Sequence, residues 1–186
     1  MKKLLSVVLC LALLLSTAGF AAAELDEDGF VFRGGVRWGM TPEEVAASQE
    51  EQTSYPPDGD GTTAVLRVTF PAVSVFRADM LYYCFENSSL YAAFYLFESE
   101  NPTLYLKRAL GSLYGESGES AEIRAEFEAM LGQVPTVAVR AENAASLGQW
   151  QTEDGTVIVL AAVDDIWVLA YYNLNYWAPE LNTDGL

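Results

Sequence analysis

Histidine is absent from this 186-residue chain, and that gap removes more chemistry than any motif supplies. Serine and cysteine triads, imidazole acid–base steps and the usual zinc sites all lose their commonest member. Cysteine is nearly as scarce. Of the two present, Cys10 lies in the N-terminal apolar run, so beyond that run Cys84 has no partner for an intramolecular disulfide. Cys84 falls in the apolar stretch 80–85 and reads as a half-buried strand residue. Positive charge is short as well, with 10 Lys and Arg against 26 Asp and Glu and a formal net charge of −16. Such a surface suits neither nucleic acid nor anionic membranes, both of which reward clustered Lys and Arg. It reads first as a solubility device, and second as a field that steers a cationic ligand or metal ion.

What is present begins with an export signature. Lys2 and Lys3 precede the apolar run 4–15, and Ala21-Ala22-Ala23 supplies an A-x-A cleavage site, so residues 1–23 are predicted to be a signal peptide cleaved near Ala23. Leu9 stands before Cys10 where lipidation would want a small residue. Cleavage leaves 163 residues with 8 basic against 26 acidic side chains, a size that suits one core or two small repeats. No later stretch reaches the ~18 consecutive apolar residues of a membrane helix, so the expected product is secreted or extracytoplasmic and not an integral membrane protein.

The segment Gly35-Val36-Arg37-Trp38-Gly39-Met40-Thr41-Pro42-Glu43-Glu44-Val45 is the most readable in the chain. Thr41 is a good N-cap, Pro42 suits the first helical position, and Glu44 stands three residues after the cap, completing a capping box. Met40 and Val45 are spaced as a hydrophobic staple. A first helix is therefore predicted from Pro42 to about Ser48, with Trp38-Gly39 as the corner before it.

Residues 24–29 read as an acidic leader and 30–186 as a single domain, with halves at 30–100 and 101–177. Residues 49–62 include Pro56-Pro57-Asp58-Gly59-Asp60-Gly61 and are expected to form a loop. Strands are predicted at 64–70, 80–85 and 90–97, the last two joined by a hairpin turn at Glu86-Asn87-Ser88-Ser89. Helices follow from Asn101-Pro102 to Gly115 and from the Ser120 cap to Gly132. Three more strands are expected near 146–152, 156–162 and 166–172, turning at Glu153-Asp154-Gly155 and Asp164-Asp165. Short turns make neighbours antiparallel. The expected fold is α+β, an antiparallel meander sheet with helices packed on one face, built from a duplicated unit of helix plus three strands.

The Trp38-Gly39-Met40-Thr41-Pro42-Glu43-Glu44-Val45 element resembles the opening of a group of small exported, uncharacterised proteins of Gram-positive anaerobes that carry Trp-Gly-Met-(Ser/Thr)-x-Glu-Glu-Val. Further matches to that group are Leu81-x-Tyr83-x-Phe85 with Leu90, Leu113-Tyr114-Gly115, Trp150 and Asp154-Gly155-Thr156. The chain departs from it after Gly115, where a third helix replaces a short polar loop. At the level of fold, helix plus meander is also similar to β-lactamase inhibitor protein and to small outer-membrane assembly lipoproteins, which bind proteins and catalyse nothing. No site residue carries over from either likeness.

Candidate chemistry is thin. Asp58-Gly59-Asp60-Gly61-Thr62-Thr63 has the alternating carboxylates of a calcium loop, but Thr63 and Thr69 stand where an EF-hand wants Gly and Glu. No metal site or cofactor is expected. Two carboxylates suffice for glycoside hydrolysis, yet Glu43 and Glu44 serve the helix start, while Asp154, Asp164 and Asp165 serve turns. The aromatics are the better lead: Tyr82, Tyr91, Phe94, Tyr171, Tyr176 and Trp177 fall off the face assigned to the core or lie beyond the last strand. On an open sheet face they would contact a protein, peptide or glycan; under a second layer they would be packing. The expectation is an exported, non-catalytic binding or protein-interaction domain with Tyr171, Tyr176 and Trp177 at its contact surface. The alternative is a carboxylate-dependent hydrolase acting on cell-wall or dietary glycans.

Overall fold

The computed structural model describes residues 24–26, 29–51, 53–54, 63–69, 71–73, 76–134, 137 and 142–177. The predicted signal segment 1–23 and the glycine and aspartate loop 56–61 lie outside these. Eleven strands and three α-helices are described: β1 Glu24–Asp26, β2 Gly29–Val31, α1 Pro42–Ala47, β3 Thr53–Ser54, β4 Thr63–Thr69, β5 Ala72–Val73, β6 Phe76–Arg77, β7 Met80–Glu86, β8 Ser89–Phe97, α2 Thr103–Tyr114, α3 Ala121–Leu131, β9 Ala144–Gln151, β10 Val157–Val163 and β11 Ile166–Tyr172. The expected α+β class with an antiparallel sheet is what the chain forms.

Seven strands make the main sheet in the order β3-β4-β7-β8-β11-β10-β9, every pair antiparallel. Two three-strand meanders, β4-β7-β8 and β9-β10-β11, meet at their last strands, where Leu169 pairs with Tyr95. Each meander follows a helix, so the duplicated order read from the sequence is visible in the sheet. The hairpin between β7 and β8 turns through Asn87 and Ser88, both at positive φ, as a two-residue type I′ connection requires.

Helices cover both faces of this sheet, which corrects the one-face expectation. Side chains alternate along β7: Leu81, Tyr83 and Phe85 join a core with Val45 of α1 and Leu106 and Leu110 of α2. Tyr82 and Cys84 face the other way, into a core with Phe127, Met130 and Leu131 of α3. The central strands β8 and β11 are therefore buried on both faces. A sheet with two apolar faces must be covered twice, and α3 is the second cover. Tyr82, Tyr91, Phe94 and Tyr171 are packing as a result.

The leader carries backbone pairing of its own. Glu24–Asp26 pairs with Gly29–Val31 as a short antiparallel ladder. The capping box at α1 is formed, with Glu44 N–H donating to Thr41 Oγ1 at 3.3 Å and Thr41 N–H to Glu44 Oε2 at 2.9 Å. Ser120 caps α3 as expected, accepting from Ile123 N–H at 3.3 Å. Trp150 donates its indole N–H to the Gly115 carbonyl at 3.0 Å, tying the end of α2 to β9.

Candidate functional site

The Trp38 corner, the turn between β9 and β10 and the segment after β11 converge at one end of the sheet. Phe30, Phe32, Trp38 and Tyr171 pack there as an aromatic group. Phe32 meets Trp38 edge-on at 4.7 Å between centroids, and Tyr171 lies 5.5 Å from Phe30 and 5.6 Å from Phe32. Tyr171 is 2% exposed, so it cannot be the contact residue expected from the sequence; it is a floor on which the N-terminal segment rests. The reason is parity: Tyr171 sits on the same face as Leu169, and that face is covered.

A polar cluster rides on this group. The Trp38 indole N–H donates to Thr156 Oγ1 at 2.8 Å, and that hydroxyl donates to Asp154 Oδ2 at 3.1 Å. Oδ2 also accepts from Phe30 N–H at 3.2 Å, while Oδ1 accepts from Thr156 N–H at 3.1 Å and from the Thr152 hydroxyl. Both carboxylate oxygens of Asp154 are thus engaged. Asn173, buried, donates from Nδ2 to the Asp154 carbonyl at 3.2 Å and accepts from Asn175 N–H at 3.0 Å. Buried polar groups persist only when so paired.

Two clefts of about 450 Å³ flank the turn that follows β11. The first is lined by Arg37, Trp38, Asp154 and Tyr176, the second by Glu122, Glu126 and Val157, and Asn173 and Asn175 line both. The turn between them carries Leu174 at 38% and Tyr176 at 41% exposure, two of the few large apolar side chains the described surface shows. Tyr176 is seated by Gly39, whose φ of +81° and missing Cβ allow the ring to approach; a Cβ there would lie 3.0 Å from it. Trp177 faces inward and stacks on Tyr91 at 6.0 Å, packed against the α3 side of the core.

Of Tyr171, Tyr176 and Trp177, expected at a contact surface, Tyr176 lines the first of these two clefts, and Tyr171 and Trp177 line neither. The sequence reading missed Arg37, Asn173 and Asn175, and Glu122 and Glu126. Asp154 was assigned to its turn, which is right, but nothing local signals its bond to Phe30. Among the described residues no three His, Cys, Asp or Glu side chains are grouped to hold a metal, and no helix is long and apolar enough to cross a membrane. Comparison with protein-family models, curated proteins and solved structures finds no match for the chain.

Proposed function

We propose that the chain is an exported, non-catalytic binding domain whose contact surface is the turn 173–176 with the cleft on either side of it. The carrying observation is that exposed apolar side chains and clefts coincide: Leu174 and Tyr176 are exposed on the ridge that separates the two hollows. Aromatic and carboxamide groups together favour recognition of a peptide, protein or glycan, since one gives area at low entropic cost and the other gives directional bonds. A binding role is further supported by Asp154, the acid nearest Trp38 in the first cleft. With both oxygens accepting hydrogen bonds from the fold itself, it serves as a structural acceptor. The N-terminal signal pattern supports export.

The test is a screen of the mature chain against soluble peptide and glycan arrays, repeated with Tyr176→Ala and Asn175→Ala, and with Leu113→Ala as a control on the remote exposed face of α2. Ligands weakened by the first two variants and unaffected by the third support the reading. Ligands bound equally by all three, or turned over by the wild type, overturn it.

A further inference from the structure

We propose that the first cleft, between the Trp38 corner and the 173–176 turn, is a subsite for one uncharged pyranose ring of a glycan; this deepens the reading of that turn as a contact surface and rests on it. The cleft holds about 450 Å³, toward the small end of the range of ligand pockets. Most of its polar lining is already spent within the fold. Asp154 accepts from Phe30 N–H, from Thr156 N–H and from the Thr152 and Thr156 hydroxyls, which fills the lone pairs of its two oxygens. The Trp38 N–H is committed to Thr156, the Asn173 carboxamide to Asp154 and Asn175, and Arg37 is engaged as well. What the lining leaves for a ligand is the side chains of Asn175 and Tyr176, both exposed and neither hydrogen-bonded through its side chain to a described residue.

A pyranose answers that set. Its hydroxyls both donate and accept, matching a carboxamide and a phenol, while its C–H face lies flat on an aromatic ring. Tyr176 offers such a ring in a fixed place: Gly39 closes against it, where a Cβ would lie 3.0 Å from Cε1, and the residue stays 41% exposed. A charged ligand gains little. An anion meets the net charge of −16, and a cation meets Arg37 beside an Asp154 carboxylate that is already saturated. A peptide is the poorer occupant too, since extended chains dock on open strand edges or set apolar side chains into a groove. Here Phe30 N–H is taken by Asp154, Val31 bridges to Arg37, and the Phe30 and Trp38 rings are already buried.

The mature chain is titrated by NMR with the methyl β-glycosides of glucose, galactose and N-acetylglucosamine, with those of glucuronate and protonated glucosamine, and with the open-chain polyol sorbitol. Shifts at Asn175, Tyr176 and the Trp38 indole N–H are expected with at least one neutral glycoside, and weaker binding with the charged glycosides and with sorbitol, which lacks a ring face. Tyr176→Ala is expected to weaken the neutral glycoside about three- to tenfold, as loss of a stacking ring implies. Tyr176→Phe keeps the ring and should bind more tightly than Tyr176→Ala. Asn175→Ala, which leaves the ring in its seat, should weaken binding independently and reads the site even if Tyr176→Ala loses stability. No shift with any neutral glycoside, a charged glycoside or sorbitol that binds as tightly, or indifference to both Tyr176→Ala and Asn175→Ala overturns the inference. If peptide ligands from the arrays still depend on Tyr176 in that event, the broader reading stands and only the pyranose site falls; if no array ligand does, both fall.

Discussion

The indole N–H of Trp38 donates to Thr156 Oγ1 over 2.8 Å, joining residues 118 positions apart. Thr156 is fully buried, and its hydroxyl acts as acceptor for Trp38 and donor to Asp154 at once. Through this group the N-terminal segment is fastened to the second meander, and one wall of the first cleft is set.

Replacing Thr156 with Val keeps the shape and deletes the hydroxyl, leaving the Trp38 N–H buried without a partner. Stability is expected to fall by about 1–3 kcal/mol, the cost of one orphaned buried donor. Urea unfolding followed by Trp fluorescence measures it, and the Trp38 indole proton should shift upfield in the NMR spectrum. A variant as stable as wild type would mean that the bond contributes nothing.

Gly39→Ala places a Cβ 3.0 Å from the Tyr176 ring at a φ of +81°. The left-handed backbone alone costs roughly 1–2 kcal/mol for a residue with a Cβ. Thermal unfolding should show that loss, and Tyr176 should be displaced from its seat. Any ligand found to depend on Tyr176 is expected to bind this variant more weakly as well.

Cys84 is buried between strands, and burial pushes its thiol up to about 12. It should resist Ellman's reagent at pH 8 in the native state and react at once in guanidinium chloride, because the thiolate is the reactive form. Burial likewise raises Tyr83, Tyr95 and Tyr171. Above about pH 9 the unfolded chain releases protons that the folded chain keeps, so stability falls with rising pH by up to ~1.4 kcal/mol per unit for each such group. Urea midpoints measured between pH 8 and 11 should decline progressively; a flat profile would contradict the burial of these groups.

Asp79 behaves in the opposite sense. Burial raises its pKa, but hydrogen bonds from the Ser99 hydroxyl and from Ser99 and Glu98 N–H outweigh this and leave it lowered from 3.8. Its contribution is present above the ordinary carboxylate range and is lost as pH falls through the depressed value. Asp79→Asn should therefore cost more stability at pH 6 than at pH 2, as measured by unfolding at both values.

Legibility differed by the range of the interactions involved. The α1 start was readable to the residue, because Thr41, Pro42 and Glu44 act on backbone groups within one turn. The β10–β11 hairpin was equally readable, since alternation and a two-residue turn at Asp164-Asp165 are local signals, and β11 spans the expected Ile166–Tyr172. Tyr171 shows the limit. Alternation places it on the opposite side from Tyr172, but which side meets solvent depends on what packs there, and both sides are covered. The two-residue strands β3, β5 and β6 were not anticipated, being too short to show a period.

By itself the sequence determined the elements, the antiparallel pairing, the lack of imidazole chemistry and the acidic surface, because propensity, capping, turn chemistry and composition act within a few residues or through total charge. Only the tertiary structure decided that both sheet faces are covered, that Trp38 meets Thr156, and that Asn173 and Asn175 lie between two clefts. Those outcomes depend on how segments more than a hundred residues apart share one buried volume, and the partner of a buried polar group is set by what reaches it in space.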